Sequence, residues 1–375
     1  MSALSAAEAR PGLTVEQGVL SKDGQPYRGV GVNYFSAFLR TVLQPTNTTY
    51  REGFAVLGQH KIPFARFAAC GFWPSDWQLY QTNRALYFKL LDDVVRTAEE
   101  NHVGLIPSLF WRVGTLCELA GEPHRAWGDP ASQTHQLMRR YTEEVVTRYR
   151  LSPAIWGWEF ANEFSLDVDL PNAKQLLEKH KAMPRLGVPQ GTEADLLSAA
   201  MMVTALQEFA KTVRKFDTYR LIISGNSEPR PGAWHNTAEK SWTTDTREQF
   251  MQVLARDNPD PISTLCVHVY PSKDKRFSKE HPASQLDVLR AMMAASQQTR
   301  KPLFVGEFGA SKELGPEAER QTFGALLGDL QTAGVPLAAL WVFDLPAQNK
   351  DWNVTATNER AYMLKLVAEA NVRTR

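Results

Sequence analysis

The chain has 375 residues, 43% of them hydrophobic and 22% charged, with 42 Lys and Arg against 41 Asp and Glu. This composition supports a sizeable buried core and excludes a disordered chain. The balanced charge, free of like-charge runs, removes the electrostatic footprint of a nucleic-acid or anionic-membrane binder, so a neutral partner is expected.

Cys70, Cys117 and Cys266 are odd in number and widely spaced. They indicate neither a disulfide framework nor a paired-thiol metal site and read as buried thiols. Residues 1–10 are polar and Ala-rich, and no apolar run reaches the roughly eighteen residues of a membrane span. The expectation is a soluble protein without membrane insertion, cytoplasmic as the sequence stands, or periplasmic or secreted if a signal peptide has been removed.

Along the chain, Leu13 to Tyr27 alternates weakly and contains Asp23-Gly24, which predicts a hairpin inside an N-terminal segment of residues 1–28. Eight short apolar runs then follow: 29–34, 62–67, 104–109, 154–160, 221–224, 264–270, 303–307 and 337–343. Amphipathic stretches separate them, with Leu86, Leu90 and Val94 on one predicted helix face and Phe323, Leu326, Leu327 and Leu330 on another. Alternating strands and helices predict parallel pairing, closed as a barrel or open as a doubly wound sheet. Periodicity does not choose between these. The longest insertions, 112–132 and 167–191, follow strands and read as functional loops. No linker or internal repeat divides the chain.

Polar or amphipathic residues close the apolar runs: Arg66, Asn162, Glu163, His268, Tyr270, Glu307 and Trp341. A single one would be an ordinary satisfied polar group, but seven at the ends of five strands point to chemistry. Glycosidic cleavage needs one carboxylic acid to protonate the leaving oxygen and one carboxylate to stabilise or attack the anomeric carbon, and Glu163 and Glu307 are the obvious pair. Glu159 is the competing carboxylate, placed either on the same side as Glu163 or against an Arg near the barrel floor. His268 and Tyr270, two apart on a strand, project to one side. Arg66 and Tyr270 near Glu307 would keep it ionised.

Metal and nucleotide chemistry find little support. There is no His-Glu-x-x-His, and the eight histidines are scattered, so neither a metal nor another cofactor is expected. Gly29-Val30-Gly31 would begin a dinucleotide fingerprint, but Tyr34 occupies the third glycine position.

The order and spacing of these pieces resemble glycoside hydrolase family 5, within the clan of retaining (β/α)₈ glycosidases, over most of the chain. The resemblance implies an α/β (β/α)₈ TIM barrel, one catalytic domain spanning 1–375, with long loops on the catalytic face. It implies Glu163 as acid/base, Glu307 as nucleophile and Asn162 as donor to the sugar 2-hydroxyl. Arg66 and Tyr270 would support Glu307, with His268 close to both carboxylates and Trp341 under the sugar. One departure concerns the third strand, where the family usually carries a His and this chain reads Pro107-Ser108-Leu109-Phe110-Trp111. Either Trp111 takes over that wall or the chain belongs to a divergent branch of the family. The implied partner is a β-linked oligosaccharide or polysaccharide, a β-mannoside and a β-glucan being equally compatible. Transglycosylation at the same site and a non-catalytic carbohydrate-binding barrel are the alternatives.

Ten Trp, ten Tyr and eighteen Phe supply further sugar-stacking candidates. Trp73 and Trp111, which follow strand ends, come first, before Tyr34, Phe35, Phe38, Trp77, Trp127, Trp234 and Trp352.

Overall fold

In the computed structural model, which describes residues 10–180, 191–272, 274–278 and 280–373, all eight apolar runs are strands. Numbered β1 to β8 in chain order, they span Gly29–Asn33, Phe64–Ala68, Gly104–Phe110, Gly157–Ala161, Leu221–Ile223, Leu265–Val269, Leu303–Phe308 and Leu337–Leu340. Every residue in them is buried, which is why they read as continuous hydrophobic runs rather than alternating ones. Each neighbouring pair is parallel, in the order β5-β4-β3-β2-β1-β8-β7-β6. At the remaining seam, Ser263 N–H donates to the Ile222 carbonyl at 3.0 Å and Ile222 N–H donates to Ser263 Oγ at 2.8 Å. The sheet therefore curls into a (β/α)₈ barrel, and the open-sheet alternative falls away.

Two apolar layers result from strand alternation. Outward-facing residues such as Val267, Val305 and Phe308 pack under the helices. Inward-facing Phe64, Ile106, Leu221, Phe304 and Leu337 fill the floor at the strand starts. The N-terminal segment plugs this floor: Leu13 and Leu20 join the inner cluster, and Leu13 N–H donates to the Trp156 carbonyl at 3.0 Å. The expected hairpin at Asp23-Gly24 is present, but a second turn at Gln17-Gly18 makes a three-stranded sheet. Gln17 and Asp23 both take left-handed backbone, each followed by a glycine that takes it without penalty. Gln is an unusual residue there, so the first turn carried no sequence signal.

The helix faces were legible to different degrees. Phe323, Leu326, Leu327 and Leu330 are all buried on Pro316–Ala333. On Arg84–Glu100 the buried face runs instead through Tyr87, Leu91 and Val94, with Leu86 and Leu90 only half-buried. The helix turns its aromatic side toward Phe38 and Tyr141, and that contact rotates the stripe. The insertion 112–132 carries a helix, Val113–Ala120, and a short helical turn, His124–Gly128. In 167–191 a helix spans Ala173–His180, while residues 181–190, like all but the last residue of the polar start 1–10, lie outside the described residues.

Candidate active site

At the C-terminal ends of β2, β4, β6, β7 and β8 the inward column changes from carbon to charge. Its hub is Arg66, fully buried, whose guanidinium spends its donors on four side chains. Nε donates to both oxygens of Glu159 at 2.9 and 2.8 Å. Nη1 donates to Asn33 Oδ1 and to Glu307 Oε1, each at 2.9 Å, and Nη2 donates to Asn162 Oδ1 at 2.8 Å. Burial opposes the charge on Arg66, but the carboxylates of Glu159 and Glu307 outweigh it and raise its pKa, so the cation is secure. Glu159 thus pairs with an arginine, as one of its two expected placements had it, but in the layer above the barrel floor rather than near the floor.

Glu307 reaches the interior because β7 is irregular. The register against β6 slips between Val305 and Glu307, so Phe304 faces inward, Phe308 faces out onto Phe323, and Glu307 is turned to the barrel axis. A bulge of this kind re-aims one side chain without ending the strand. Asn33 fixes it: Nδ2 donates to the Gly306 carbonyl at 2.9 Å while Oδ1 accepts from Arg66. Glycine is needed at 306, since a Cβ there would stand 2.9 Å from His268 Nε2. The second Glu307 oxygen accepts from the Tyr270 hydroxyl at 2.7 Å. Burial, then the neighbouring Glu307 charge, pushes the Tyr270 phenol well above its ordinary value, so it remains a donor.

Glu163 lies two residues beyond β4, in left-handed backbone at φ 54°, with its N–H donating to the Gly225 carbonyl at 2.8 Å. Its Oε1 sits 2.9 Å from His268 Nδ1, which also lies 3.6 Å from Glu307 Oε2. Facing two carboxylates, Nδ1 carries the ring proton. Burial would raise the Glu163 pKa, but the hydrogen bond and electrostatic pull of His268, with Arg66 and Ser227, outweigh it and hold the carboxyl below its usual range. One oxygen of Glu163, one oxygen of Glu307 and one His268 nitrogen all lie within 4.8 Å of one another. Among the described residues this is also the one group spaced to ligate a metal. The Arg66 cation bonded to Glu307 and the Nδ1 proton aimed at Glu163 make it a poor cation site and a good proton-transfer pair.

The pair opens into a cleft with two lobes. The first, about 680 Å³, contains both carboxylates with Tyr270, Trp111, Trp341 and Trp352. Trp111 and Trp341 stand 6.1 Å apart at 32°, and Phe35 meets Trp111 edge-on at 4.8 Å. Trp111 also covers the Arg66 guanidinium at 4.3 Å, closing the wall where the third strand departs from the family pattern. Trp341 Nε1 donates to Gln348 at 2.9 Å, which fixes its plane. Asn162, its Oδ1 taken by Arg66, offers its amide nitrogen.

The sequence-derived set therefore converges, Trp73 excepted. Trp73 is 51% exposed, under Arg112 at 4.8 Å and outside the lobe linings, where its neighbour Phe72 takes the place. The Trp73 N–H is tied to Asp76 at the start of a short helical turn, which directs the indole outward. Phe35 and Trp352 line the cleft, whereas Tyr34, Phe38, Trp77 and Trp127 are core residues. Trp234 packs edge-on against His235. Asn33 was missed: an Asn ending a strand looks ordinary until its partners, distant in sequence, are known.

A (β/α)₈ barrel with two carboxylates facing across an aromatic cleft at its C-terminal end defines an O-glycosyl hydrolase. The sequence model of the family described as Cellulase (glycosyl hydrolase family 5) matches residues 72–341, and the chain belongs to that family. A probable mannan endo-1,4-beta-mannosidase C from Aspergillus terreus is 27% identical over 193 residues, which cover 50% of this chain and 39% of that protein. The chain thus matches well under half the length of this curated relative. In fold it is similar to the endo-1,4-beta-mannanase of Rhizomucor miehei, with TM-score 0.66 and 16% identity over 96% of this chain and 99% of that one. It is also similar to an exo-beta-1,4-mannosidase from Opitutaceae bacterium strain TAV5, with TM-score 0.63 and 16% identity over 96% and 63% of the two chains.

Proposed function

We propose that the protein hydrolyses β-mannosides with retention of configuration, Glu307 acting as nucleophile and Glu163 as acid/base. The observation that carries this reading is the approach of the two carboxylates, whose oxygens come within 4.8 Å. Retaining glycosidases separate the pair by about 5–5.5 Å and inverting ones by about 6.5–9.5 Å, the latter to admit a water between them.

In the first step Glu307 attacks the anomeric carbon, the C1–O bond breaks, and the fraction of Glu163 that carries a proton against the pull of His268 and Arg66 passes it to the departing oxygen. Arg66 and Tyr270 each hydrogen-bond one oxygen of Glu307 and so hold its rotation for that attack. In the second step Glu163, now a carboxylate, takes a proton from water as its oxygen displaces Glu307 from C1. The pull of His268 and Arg66 favours this ionised form of Glu163. Asn162 donates to the 2-hydroxyl and the Trp111–Trp341 pair meets the sugar faces. Mannose is favoured over glucose by the mannan- and mannoside-cleaving relatives.

Glu307→Ala tests the assignment. Turnover of an aryl β-mannoside is expected to fall by at least about 10⁴-fold, and azide to restore part of it as the α-mannosyl azide. Near-normal rates in Glu307→Ala would remove the nucleophile from the account.

A further inference from the structure

The two carboxylates are held in different ways. Glu307 has both oxygens hydrogen-bonded and its side chain is 6% exposed. The Glu163 side chain is 31% exposed, with His268 and Ser227 as its partners, so more of its placement falls to its backbone. That backbone is left-handed at φ 54°, a conformation that strains a residue with a Cβ and persists only where the surroundings over-determine it.

The surroundings here are two strand-end segments stitched together. Glu163 caps the start of a short helical turn, Phe164–Asp167, and the segment 225–230 follows β5. Besides the bond from Glu163 N–H to the Gly225 carbonyl, Ser165 N–H donates to Asn226 Oδ1 and Ser227 N–H donates to Ser165 Oγ, each at 3.2 Å. Arg230 closes the far end of the turn. Its Nη1 donates to the Leu166 carbonyl at 2.6 Å and to the Ser165 carbonyl at 3.4 Å, and its Nη2 donates to the Val168 carbonyl at 2.8 Å. Its Nε donates to Asn236 Oδ1 at 3.2 Å, which aims the guanidinium from behind. Carbonyls at the end of a helical turn lack partners within it, and a cation placed there satisfies them and complements their partial charge. The same turn presents Leu166 and Asp167 to the second lobe of the cleft, about 420 Å³, which contains Glu163 but not Glu307. Arg230 itself lines neither lobe.

We infer that Arg230 is a positioning residue for the acid/base: by clamping the turn that Glu163 begins, it holds the carboxyl at the leaving oxygen without touching substrate. The inference rests on the proposed role of Glu163 and adds to it the group that keeps that side chain in place.

The test uses two substrates that differ in their need for a proton, phenyl and 2,4-dinitrophenyl β-mannoside. Phenolate is a poor leaving group and depends on the acid, whereas dinitrophenolate departs as the anion. In Arg230→Met, kcat/KM for the phenyl substrate is expected to fall at least about tenfold more than kcat/KM for the dinitrophenyl substrate. Arg230→Lys, which keeps one cationic donor for these carbonyls, should show a smaller imbalance of the same sign, and it decides the question if Arg230→Met does not fold. Because the two substrates are compared within each variant, a loss of folded protein cancels. Glu163→Ala is the control and should show the same imbalance in larger measure. If it does while the Arg230 variants lose both substrates equally, or lose neither, the positioning role is overturned and the acid/base assignment stands. If Glu163→Ala itself loses both substrates equally, the acid/base reading falls first and this inference falls with it.

Discussion

The interior of the barrel is one column of side chains with two chemistries, separated by two residues along the same strands. At the floor stand Phe64, Ile106 and Cys266. About 7 Å higher, Arg66, Ser108 and His268 occupy the next inward positions, with Glu159 beside them. The floor is held by contacts that are individually small and interchangeable. The upper layer is held by a few hydrogen bonds, most of them centred on Arg66 with the His268–Glu163 and Tyr270–Glu307 bonds beside them, and removing Arg66 leaves buried carboxylate charge without its main partner. Stability is therefore spread in the lower layer and concentrated in the upper one, where it coincides with the reacting groups.

The sharpest way to break the comparison is Arg66→Met. It strands Glu159 without a partner and deprives Glu307 and Asn162 of their donor, so a stability loss of about 3–5 kcal/mol is expected, together with a large fall in turnover. Adding Glu159→Gln should recover much of the stability and little of the activity. Denaturant unfolding and aryl-glycoside kinetics on the same samples separate the two, and recovery of both together would mean that the upper layer is mere structure. The floor gives the smaller effect. Ile106→Val should lower stability by about 0.5–1.5 kcal/mol and leave kcat/KM unchanged. A change in turnover from so remote a methylene would show that the two layers are coupled rather than independent.

This division also explains what could be read from the sequence. The eight strands were legible because they are buried on both sides and so appear as unbroken apolar runs. Arg66, Asn162, Glu163, His268, Tyr270 and Glu307 were legible because each interrupts such a run at its end. What stayed hidden depends on spatial neighbours: the bulge that turns Glu307 inward, Asn33 holding the Gly306 carbonyl, and the left-handed backbone at Glu163. Local sequence also could not tell an indole that lines the cleft from one that faces out. Trp111 covers Arg66 while Trp73, tied through Asp76, lies outside. The two-lobed shape of the cleft was likewise invisible, although the insertion 167–191, which supplies Leu170, Leu176 and Leu177 to it, already read as a functional loop.

The central claim is that the two carboxylates stand too close for a water to attack the sugar directly. Proton NMR of the first sugar released from a β-mannoside, recorded before mutarotation, tests it most directly. The account predicts the β-anomer as the initial product. Initial release of the α-anomer would contradict it.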